Sequence, residues 1–482
     1  MIKKSQTPPP LRVPIPFTHG CNGEYVPPDP SQLDKWATKY YWRLAGEHAR
    51  KLGLTRRQFI ARASGSALAL WVMNMTYGCV GGGLFTSDKE STIDDEKACV
   101  ELSGDEFIFD IQTHHVNPDG LWRQNTPGWT WFLQSLPQSY CGEPDLVDCF
   151  SMKNYLREMF VNSETTIAVL SALPAEPYLN PLEAEEAAQT REIFDSLSDS
   201  NRLLLHGLVR PDLGITQLEG MQGLVEEQNI TAWKIYTPYG GWRLDDETVG
   251  IPFIEKARSL GVNVICAHKG FPLTGFDPAF AAPDDIGVVA AAYPDVKFIV
   301  YHSAFESDII EGEYNPNNPQ GVDRLIKTFQ DNNISPDSNV YAELGSTWRF
   351  LMTSPTQAAH VIGKLLKYVG ENHVVWGTDS IWYGTPQDQI TAFRAFQISA
   401  EFQETYGYPA MTSEIRDKVF GLNAADAYGV DVNEIRCGIT EDDIAQLQAN
   451  LDGEVLPTWR EYGPQTRREF FAFLRGRGGM PG

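Results

Sequence analysis

The sequence is poor in the features that mark several classes of protein. Its seven cysteines include no CxxC pair and no metal-binding spacing, which excludes a cysteine-based zinc module. Basic residues are outnumbered, 39 against 63 acidic ones, and the net charge of −24 argues against nucleic acid and anionic membrane surfaces as partners. No heptads or internal repeats stand out. The 482 residues are enough to bury one large core with an additional arm or tail.

Long hydrophobic runs are also missing. The most apolar stretch, LTRRQFIARASGSALALWVMNMTYGC, is interrupted by Arg62 and is too short and too polar for a membrane span. Arg56 and Arg57 precede Phe59, Ile60 and then small apolar residues, a pattern typical of a twin-arginine export signal. We therefore expect the twin-arginine export machinery as a partner and a periplasmic or extracellular location, or a cytoplasmic one if the signal is not used.

The position of this segment leaves alternatives open, because more than 50 residues precede it. A misassigned start, a retained arm that lies against the rest of the protein, and a surface helix with a chance arginine pair would each explain it. The expected organisation is a Pro-rich arm and helix over 1–54, a signal segment over 55–80, a main domain over 100–435 and a helical tail over 436–482. The tail would pack on the main domain or contact a second subunit in a homodimer.

Polar residues end several strand-like hydrophobic runs of the main domain. In FIFDIQTHHV the two-residue period places Gln112 and His114 on one face and His115 on the other. Three later runs end at His268, His302 and Asp379. Continuous apolar runs of this length favour strands that are buried on both faces, as in a parallel sheet covered by helices.

Eight such runs alternate with helical segments, which predicts an α/β fold, a (β/α)8 barrel with its chemistry at the carboxyl ends of the strands. The candidate strands are 107–116, 165–174, 203–211, 230–238, 262–268, 296–302, 338–345 and 374–379. The gap after the first run is long and contains Trp122, Trp129, Trp131, Cys141 and Cys149. An insertion there would lie over the active face as a lid or substrate wall, with a Cys141–Cys149 disulfide or two reduced cysteines.

The motifs FDIQTHH, WKIYTP, LDDETVGIPFIEKARSLGVNVICAHKG, PDVKFIVYHSAF, VVWGTDSIWYG and GLNAADAYGV, in this order, resemble the amidohydrolase superfamily over roughly residues 107 to 430. The resemblance is to its branch of TIM-barrel metal-dependent hydrolases and decarboxylases. It implies that Gln112, His114, His268 and Asp379 are the metal ligands. It also implies a mononuclear site in which His302 does proton work.

Gln112 departs from the family pattern, which has His or, in some decarboxylases, Glu at this position. A neutral amide is a poorer ligand for Zn²⁺ than imidazole or carboxylate. His114, His268 and Asp379 with water still match the ligand count of a catalytic zinc site. Zn²⁺ is the expected ion, with Mn²⁺ as an alternative, and a metal-free site is a further alternative because some members of the branch work without metal.

Such a site predicts a metal-dependent hydrolase that cleaves an amide, lactone or ester of a small carboxylated substrate. A bound ion would generate hydroxide near neutral pH, Asp379 would move the proton to the leaving group, and His302 would polarise the carbonyl. The alternatives are a non-oxidative decarboxylase of the same family and a metal-free lactonase or binding protein. Lys234, Arg210 and Glu343 also end strand-like runs and are predicted to bind the substrate, the two cations through charge-assisted hydrogen bonds.

Overall fold

A computed structural model describes residues 12–18, 29–78, 81–126, 128–130, 133, 143, 145–198, 201–272, 275–439 and 442–450. Trp131, Cys141, most of the Pro-rich arm and the tail after residue 450 lie outside the described residues. Cys149 forms a disulfide, and its partner is also outside them.

Eight parallel strands form the main sheet, each hydrogen-bonded to the next in chain order. They are β1 (Phe109–Thr113), β2 (Ile167–Leu170), β3 (Leu203–Leu208), β4 (Ala232–Ile235), β5 (Val264–His268), β6 (Lys297–Tyr301), β7 (Val340–Glu343) and β8 (Val374–Val375). Each lies within one of the eight runs that the sequence predicted. The (β/α)8 barrel is therefore confirmed.

The first and last strands close the barrel. The backbone N–H of Ile111 donates to the carbonyl of Trp376 at 3.1 Å, and that of Asp379 donates to Gln112 at 2.9 Å. Alternate strand residues such as Cys266 and Ile299 belong to one buried cluster, and their chain neighbours belong to a second cluster with the surrounding helices. This is the pattern of a strand buried on both faces. Closure brings the carboxyl ends of β1 and β8 side by side.

Helices follow the strands and cover the sheet. Those of the barrel are Ala184–Leu197, Ile215–Glu226, Thr237–Gly240, Gly250–Ser259, Asp284–Ala292, Val322–Asp331, Thr347–Leu351, Pro355–Tyr368, Gln387–Ala395, Ala400–Tyr406, Ser413–Asp417, Asn423–Tyr428, Val432–Gly438 and Asp443–Asn450. The insertion after β1 contributes Trp122–Asn125, Leu146–Phe150, Met152–Leu156 and the π-helical turn Arg157–Val161, and Lys418–Leu422 is a second π-helical turn. Single 3₁₀ turns lie at Pro211–Leu213 and Pro278–Phe280, and His302–Ala304 is a turn in which all three residues have positive φ.

Among the described residues before the barrel, four helices are present: Gln32–Lys51, Arg56–Ile60, Ala63–Tyr77 and Asp95–Leu102. A short strand, Gly83–Phe85, pairs antiparallel with Phe396–Ile398 and ties these helices to the barrel. The segment that the sequence marked as an export signal thus forms two helices of this layer, and export itself stays a prediction. Among the described residues, no helix is both long and apolar enough to span a membrane.

Candidate functional site

The carboxyl end of the barrel brings together the five polar residues that the sequence singled out. Gln112 lies within β1 and His114 directly after it, His268 ends β5, His302 follows β6, and Asp379 lies after β8. All five are buried, with at most 5 % of each residue exposed. They meet because strand ends that are far apart in sequence converge at one rim of a barrel.

Four short distances connect these side chains into one cluster. His114 Nε2 lies 3.1 Å from Asp379 Oδ1, and Gln112 Nε2 donates to the same oxygen at 3.0 Å. His302 Nε2 lies 3.3 Å from His268 Nδ1. Gln112 Nε2 is also 3.5 Å from His302 Nε2. The amide therefore links the pair of His114 and Asp379 to the pair of His268 and His302.

Backbone carbonyls fix the orientation of all three imidazoles. The contacts are His114 Nδ1 to Ser171 O at 2.8 Å, His268 Nε2 to Phe271 O at 3.2 Å, and His302 Nδ1 to Gly345 O at 2.7 Å. A carbonyl only accepts, so the nitrogen that faces it carries the hydrogen. In each neutral imidazole the other nitrogen therefore presents its lone pair to the centre of the cluster.

The nitrogen and oxygen donor atoms of this cluster are of the types that bind divalent cations. A proton or a cation must lie between His114 Nε2 and Asp379 Oδ1, and between His268 Nδ1 and His302 Nε2, because lone pairs would otherwise face each other across these short distances. Imidazole and carboxylate are ordinary ligands of divalent transition metals. In the part of the chain that the structure describes, no three His, Cys, Asp or Glu side chains surround one point closely enough to hold an ion as they stand. The ion's identity, Zn²⁺ or another, stays a prediction.

Asp379 is the ionised acid of the cluster. Burial alone would raise the pKa of this carboxyl, but the hydrogen bond and charge of His114, together with His302 and a hydrogen bond from Ser346, hold it well below its usual range. Burial lowers the pKa of His302 to about 4 against the opposing charge of Asp379. Burial and the neighbouring His302 also lower the pKa of His268. The cluster thus combines the carboxylate of Asp379 with the neutral imidazoles of His268 and His302 at neutral pH.

Glu343 lies beneath the site, and its predicted contact with a substrate stays a prediction. Its carboxylate accepts hydrogen bonds from the backbone N–H groups of His302, at 2.9 Å, and Gly345. Burial raises its pKa to about 8, while these hydrogen bonds and Lys234 oppose the shift. Glu343 therefore holds the loops that carry His302 and Gly345.

Lys234 is fully buried inside the barrel. Its ammonium lies 3.3 Å from the centroid of the Tyr301 ring and 4.8 Å from that of Tyr236, and its Nζ has no hydrogen-bond partner. Burial lowers its pKa to about 7. Lys234 is not among the residues that line the cavity, it lies within electrostatic range of Asp379, and its predicted contact with a substrate stays a prediction.

Arg210 lies away from the cluster. Its guanidinium donates to Asp212 at 2.6 Å and 2.9 Å and pairs with Glu176 at 3.4 Å. It lines a second cavity, between the loop after β2 and the helix Ile215–Glu226. These carboxylates already neutralise Arg210, and its predicted role in substrate binding stays a prediction.

Aromatic and apolar side chains enclose the cluster. The cavity is lined by Gln112, His114, His268, His302 and Asp379 together with Trp129, Leu173, Pro174, Tyr236, Phe271 and Trp382. Trp382 stacks on the His114 imidazole with ring centroids 5.2 Å apart. Trp129 comes from the insertion after β1, so this insertion does form part of the cavity wall.

Two further side chains of the site, Ser346 and Tyr383, were not predicted from the sequence. Ser346 Oγ donates to Asp379 Oδ2 at 2.6 Å and lies 2.9 Å from the hydroxyl of Tyr383. Ser346 has a φ of 53°, a strained conformation for a serine that the surrounding loop must hold. The sequence does contain a signal for both residues. Ser346 closely follows the strand-like run that ends at Glu343, and Tyr383 closely follows Asp379 in the motif TDSIWYG.

Comparison with known proteins agrees with this geometry. Residues 208–430 match the profile of the family described as Amidohydrolase. The matched part of the chain, which includes His268, His302 and Asp379, is therefore similar to that family. No curated protein matches the chain.

Several solved structures are similar to this one. An uncharacterised TIM-barrel protein from Bordetella bronchiseptica has 13 % identity and a TM-score of 0.42, over 67 % of this chain and 98 % of the other. A 5-carboxyvanillate decarboxylase from Sphingomonas paucimobilis has 12 % identity and a TM-score of 0.41, over 68 % and 100 %. A 2,6-dihydroxybenzoate decarboxylase from Rhizobium has 14 % identity and a TM-score of 0.39, over 67 % and 99 %.

Proposed function

We propose that this chain is an enzyme that decarboxylates a small aromatic carboxylic acid without oxidation. The observation that carries the proposal is the aromatic enclosure of an acid–base cluster. Trp129, Tyr236, Phe271 and Trp382 line the cavity that contains Asp379 and the histidines. Flat aromatic walls suit a planar ring, because offset and edge contacts between rings are favourable, and they exclude water from the carboxylate.

The protonation states of the cluster indicate which side chain transfers the proton in this reaction. Asp379 is ionised, and His302 keeps its hydrogen on Nδ1 at the carbonyl of Gly345. Asp379 is therefore the base that takes a proton from a hydroxyl of the substrate and returns it to the ring carbon. The bond between ring and carboxylate breaks, its electron pair stays on the ring carbon, and carbon dioxide leaves. A general acid–base group contributes roughly 10²- to 10⁴-fold in rate.

His114, His268 and Asp379 would hold a divalent cation, which would bind substrate oxygens and withdraw electron density from the ring. The histidines position their lone pairs through the carbonyls described above, and Ser346 orients Asp379. Mn²⁺ and Zn²⁺ are the ions to test, since both accept imidazole and carboxylate ligands.

Hydrolysis of a lactone, ester or amide is the second candidate. It is favoured by the same ionised Asp379, because a buried carboxylate beside neutral imidazoles can also deprotonate water. Here Asp379 would pass the proton to the leaving group, and His302 Nε2 would face the reacting carbonyl. Nothing in the positions of these groups needs to change for either reaction.

One screen separates the two functions. Purified protein, with and without added Mn²⁺ or Zn²⁺, is incubated with hydroxybenzoates, including the compounds for which the decarboxylases above are named, and with aryl lactones and esters. Carbon dioxide release that Asp379→Asn abolishes would support decarboxylation. Lactone or ester cleavage without carbon dioxide would overturn it in favour of hydrolysis.

A further inference from the structure

The cavity that encloses Asp379 and the histidines, called the active cavity below, is too small for an aromatic acid as it stands. Its volume is about 20 Å³, which is room for about one water molecule. A cavity that holds a benzene ring has a volume of about 150 Å³. The second cavity, beside Arg210, has a volume of about 620 Å³. A wall of the active cavity must therefore move before a ring can bind at Asp379.

The loop after β2 separates the two cavities. Leu173 and Pro174 line the active cavity, while their chain neighbours Ala172 and Ala175 line the second cavity. We call residues 172–175 the strap. The strap is thus a single layer of chain with a nearly filled space on one side and a large empty space on the other.

Side chains hold the strap in place. Its four successive carbonyls accept hydrogen bonds from the side chains of Tyr236, Asn180, Trp129 and Arg210, at 3.1 Å, 2.5 Å, 3.0 Å and 3.3 Å. Among the described residues, no backbone N–H donates to these four carbonyls. The strap can therefore move without breaking a hydrogen bond of the sheet or of a helix, and such segments are the ones that open locally in folded proteins.

Space for this movement exists on the side of the second cavity. That cavity lies between the strap and the helix Ile215–Glu226. A Cβ on Gly220 of this helix would meet no described atom within 4 Å. Residues 176–178, which continue the strap, are exposed, and Tyr178 is 84 % exposed. Displacement of the strap toward the helix would enlarge the active cavity at the expense of the second cavity.

We propose that the strap is a movable wall that determines which substrates reach Asp379. In the closed position it seals the cluster from water, and in the open position it occupies part of the second cavity and leaves room for a ring. The helix Ile215–Glu226 limits its displacement and thereby sets the largest substrate that enters. The need to admit a ring rests on the proposed function, whereas the opening of the strap does not depend on the reaction.

The first test fills the second cavity. Gly220→Phe places a ring in the space that the strap would enter, and fewer open molecules mean a lower apparent affinity for substrate. We expect kcat/KM for the compound that releases carbon dioxide to fall by roughly tenfold or more. Gln217→Phe, on the same cavity, replaces Gly220→Phe if the latter does not fold.

The matched control for this test is Gly223→Phe, in the same helix. A Cβ on Gly223 would lie 4.0 Å from Glu227 Oε1, and Gly223 is not among the described residues that line the second cavity. This variant should keep the wild-type kcat/KM. Melting temperatures of both variants show whether a loss of activity comes from a loss of folded protein.

The second test measures opening without a reaction. Leu173→Cys introduces a thiol on the side of the strap that lines the active cavity. Iodoacetamide reaches this thiol when the strap opens, and mass spectrometry of peptides distinguishes it from the native cysteines. In the Leu173→Cys protein, Gly220→Phe should slow the alkylation roughly fivefold or more, and Gly223→Phe should leave it unchanged.

A change of opposite sign comes from a loosened strap. Asn180→Asp removes the donor to the Leu173 carbonyl and keeps the oxygen that accepts from the backbone N–H of Leu182 at 2.9 Å. It should accelerate alkylation of the introduced thiol. Gln217→Glu adds the same charge to the second cavity without touching the strap's hydrogen bonds, and should not accelerate it.

The two tests fail in different ways. Alkylation at one rate in all variants would overturn the movable wall, whatever reaction the protein catalyses. Slowed alkylation beside an unchanged kcat/KM in Gly220→Phe would also overturn it, because opening would then not admit the substrate. Slowed alkylation in a protein that releases carbon dioxide from no compound would support the wall and overturn decarboxylation.

Discussion

The helix Ala63–Tyr77 and the carboxyl end of the barrel are both built on apolar runs, but they use them differently. Nine of the fifteen helix residues are buried, among them Leu70 and Met73, and the helix packs between Gln32–Lys51 and Asp95–Leu102. At the barrel end the apolar runs carry buried polar atoms with opposed lone pairs. Burial of apolar side chains stabilises the first region, while the second uses buried strands to bring polar side chains together at one rim of the barrel.

An apolar run in the sequence therefore does not by itself specify one structure or one function. A stretch of small and apolar residues after an arginine pair suits an export signal and equally suits a buried helix. Tyr41 OH donates to the carbonyl of Gly65 at 3.2 Å, and Asp95 accepts from both the backbone N–H and the hydroxyl of Ser64. These partners are distant in sequence, so the local pattern contains no sign of them.

The largest predicted effect comes from a charge placed in the apolar helix. Leu70→Asp should destabilise the protein by about 4 kcal/mol or more, because an unpaired carboxylate would replace a fully buried side chain. Met75→Asp, in the same helix at a residue that is 53 % exposed, is the control and should change stability by no more than about 0.5 kcal/mol. Denaturant unfolding measures both. Equal, small effects would mean that the helix is not part of the folded unit.

The second prediction concerns the barrel end. Asp379→Asn should lower kcat for the decarboxylated compound by roughly 10²- to 10⁴-fold, since the base is lost. Removal of its buried charge should leave the protein folded. His373→Asn, at a histidine whose partner is Asp337 rather than the cluster, should keep wild-type kcat. Steady-state kinetics on the two variants measures both values of kcat. Equal activity in the two variants would show that Asp379 is not the base.

The third prediction separates stability from function at Lys234. Lys234→Met should raise the free energy of unfolding at pH 7 by about 1–3 kcal/mol, because a buried amine without a hydrogen-bond partner is replaced by an apolar chain. The folded-state pKa of about 7 lies below the ordinary value of 10.5, so the unfolded chain binds more protons between these values. Wild-type stability from this group therefore rises with pH from 7 to 10.5.

The Lys234→Met variant should lose that part of the pH dependence. Chemical unfolding at pH 7, 8 and 9 on both proteins measures it. A variant that is less stable than wild type at pH 7 would show that the Tyr301 ring stabilises the ammonium by more than its burial costs.

The smallest predicted effect is at the connection between the two regions. Asn74 donates to the carbonyl of Phe85 at 2.6 Å and accepts from its N–H at 2.8 Å, which fastens the apolar helix to the strand Gly83–Phe85. Asn74→Ala should cost about 1–2 kcal/mol and leave kcat unchanged. Thermal unfolding combined with the kinetic assay measures this, and a loss of activity at unchanged stability would mean that the two regions are coupled.

The sequence predicted the barrel because two-residue periodicity and the strand–helix alternation are local properties. It placed Gln112, His114, His268, His302 and Asp379 correctly at the strand ends, since topology brings these ends together whatever the side chains do. It could not predict that Glu343 turns inward to two backbone N–H groups, or that Arg210 is neutralised by Asp212. Those outcomes depend on loop conformations and on partners whose positions no pattern encodes.

The most direct test of the proposed mechanism follows the hydrogen that replaces the carboxylate on the ring carbon. The compound that releases carbon dioxide is converted in D₂O, and its product is examined by NMR for deuterium at the carbon that bore the carboxylate. We predict one deuterium per product at that carbon, formed at a rate that Asp379→Asn lowers at least a hundredfold. Deuterium incorporation at an undiminished rate in Asp379→Asn would contradict the assignment of Asp379 as the group that carries the proton.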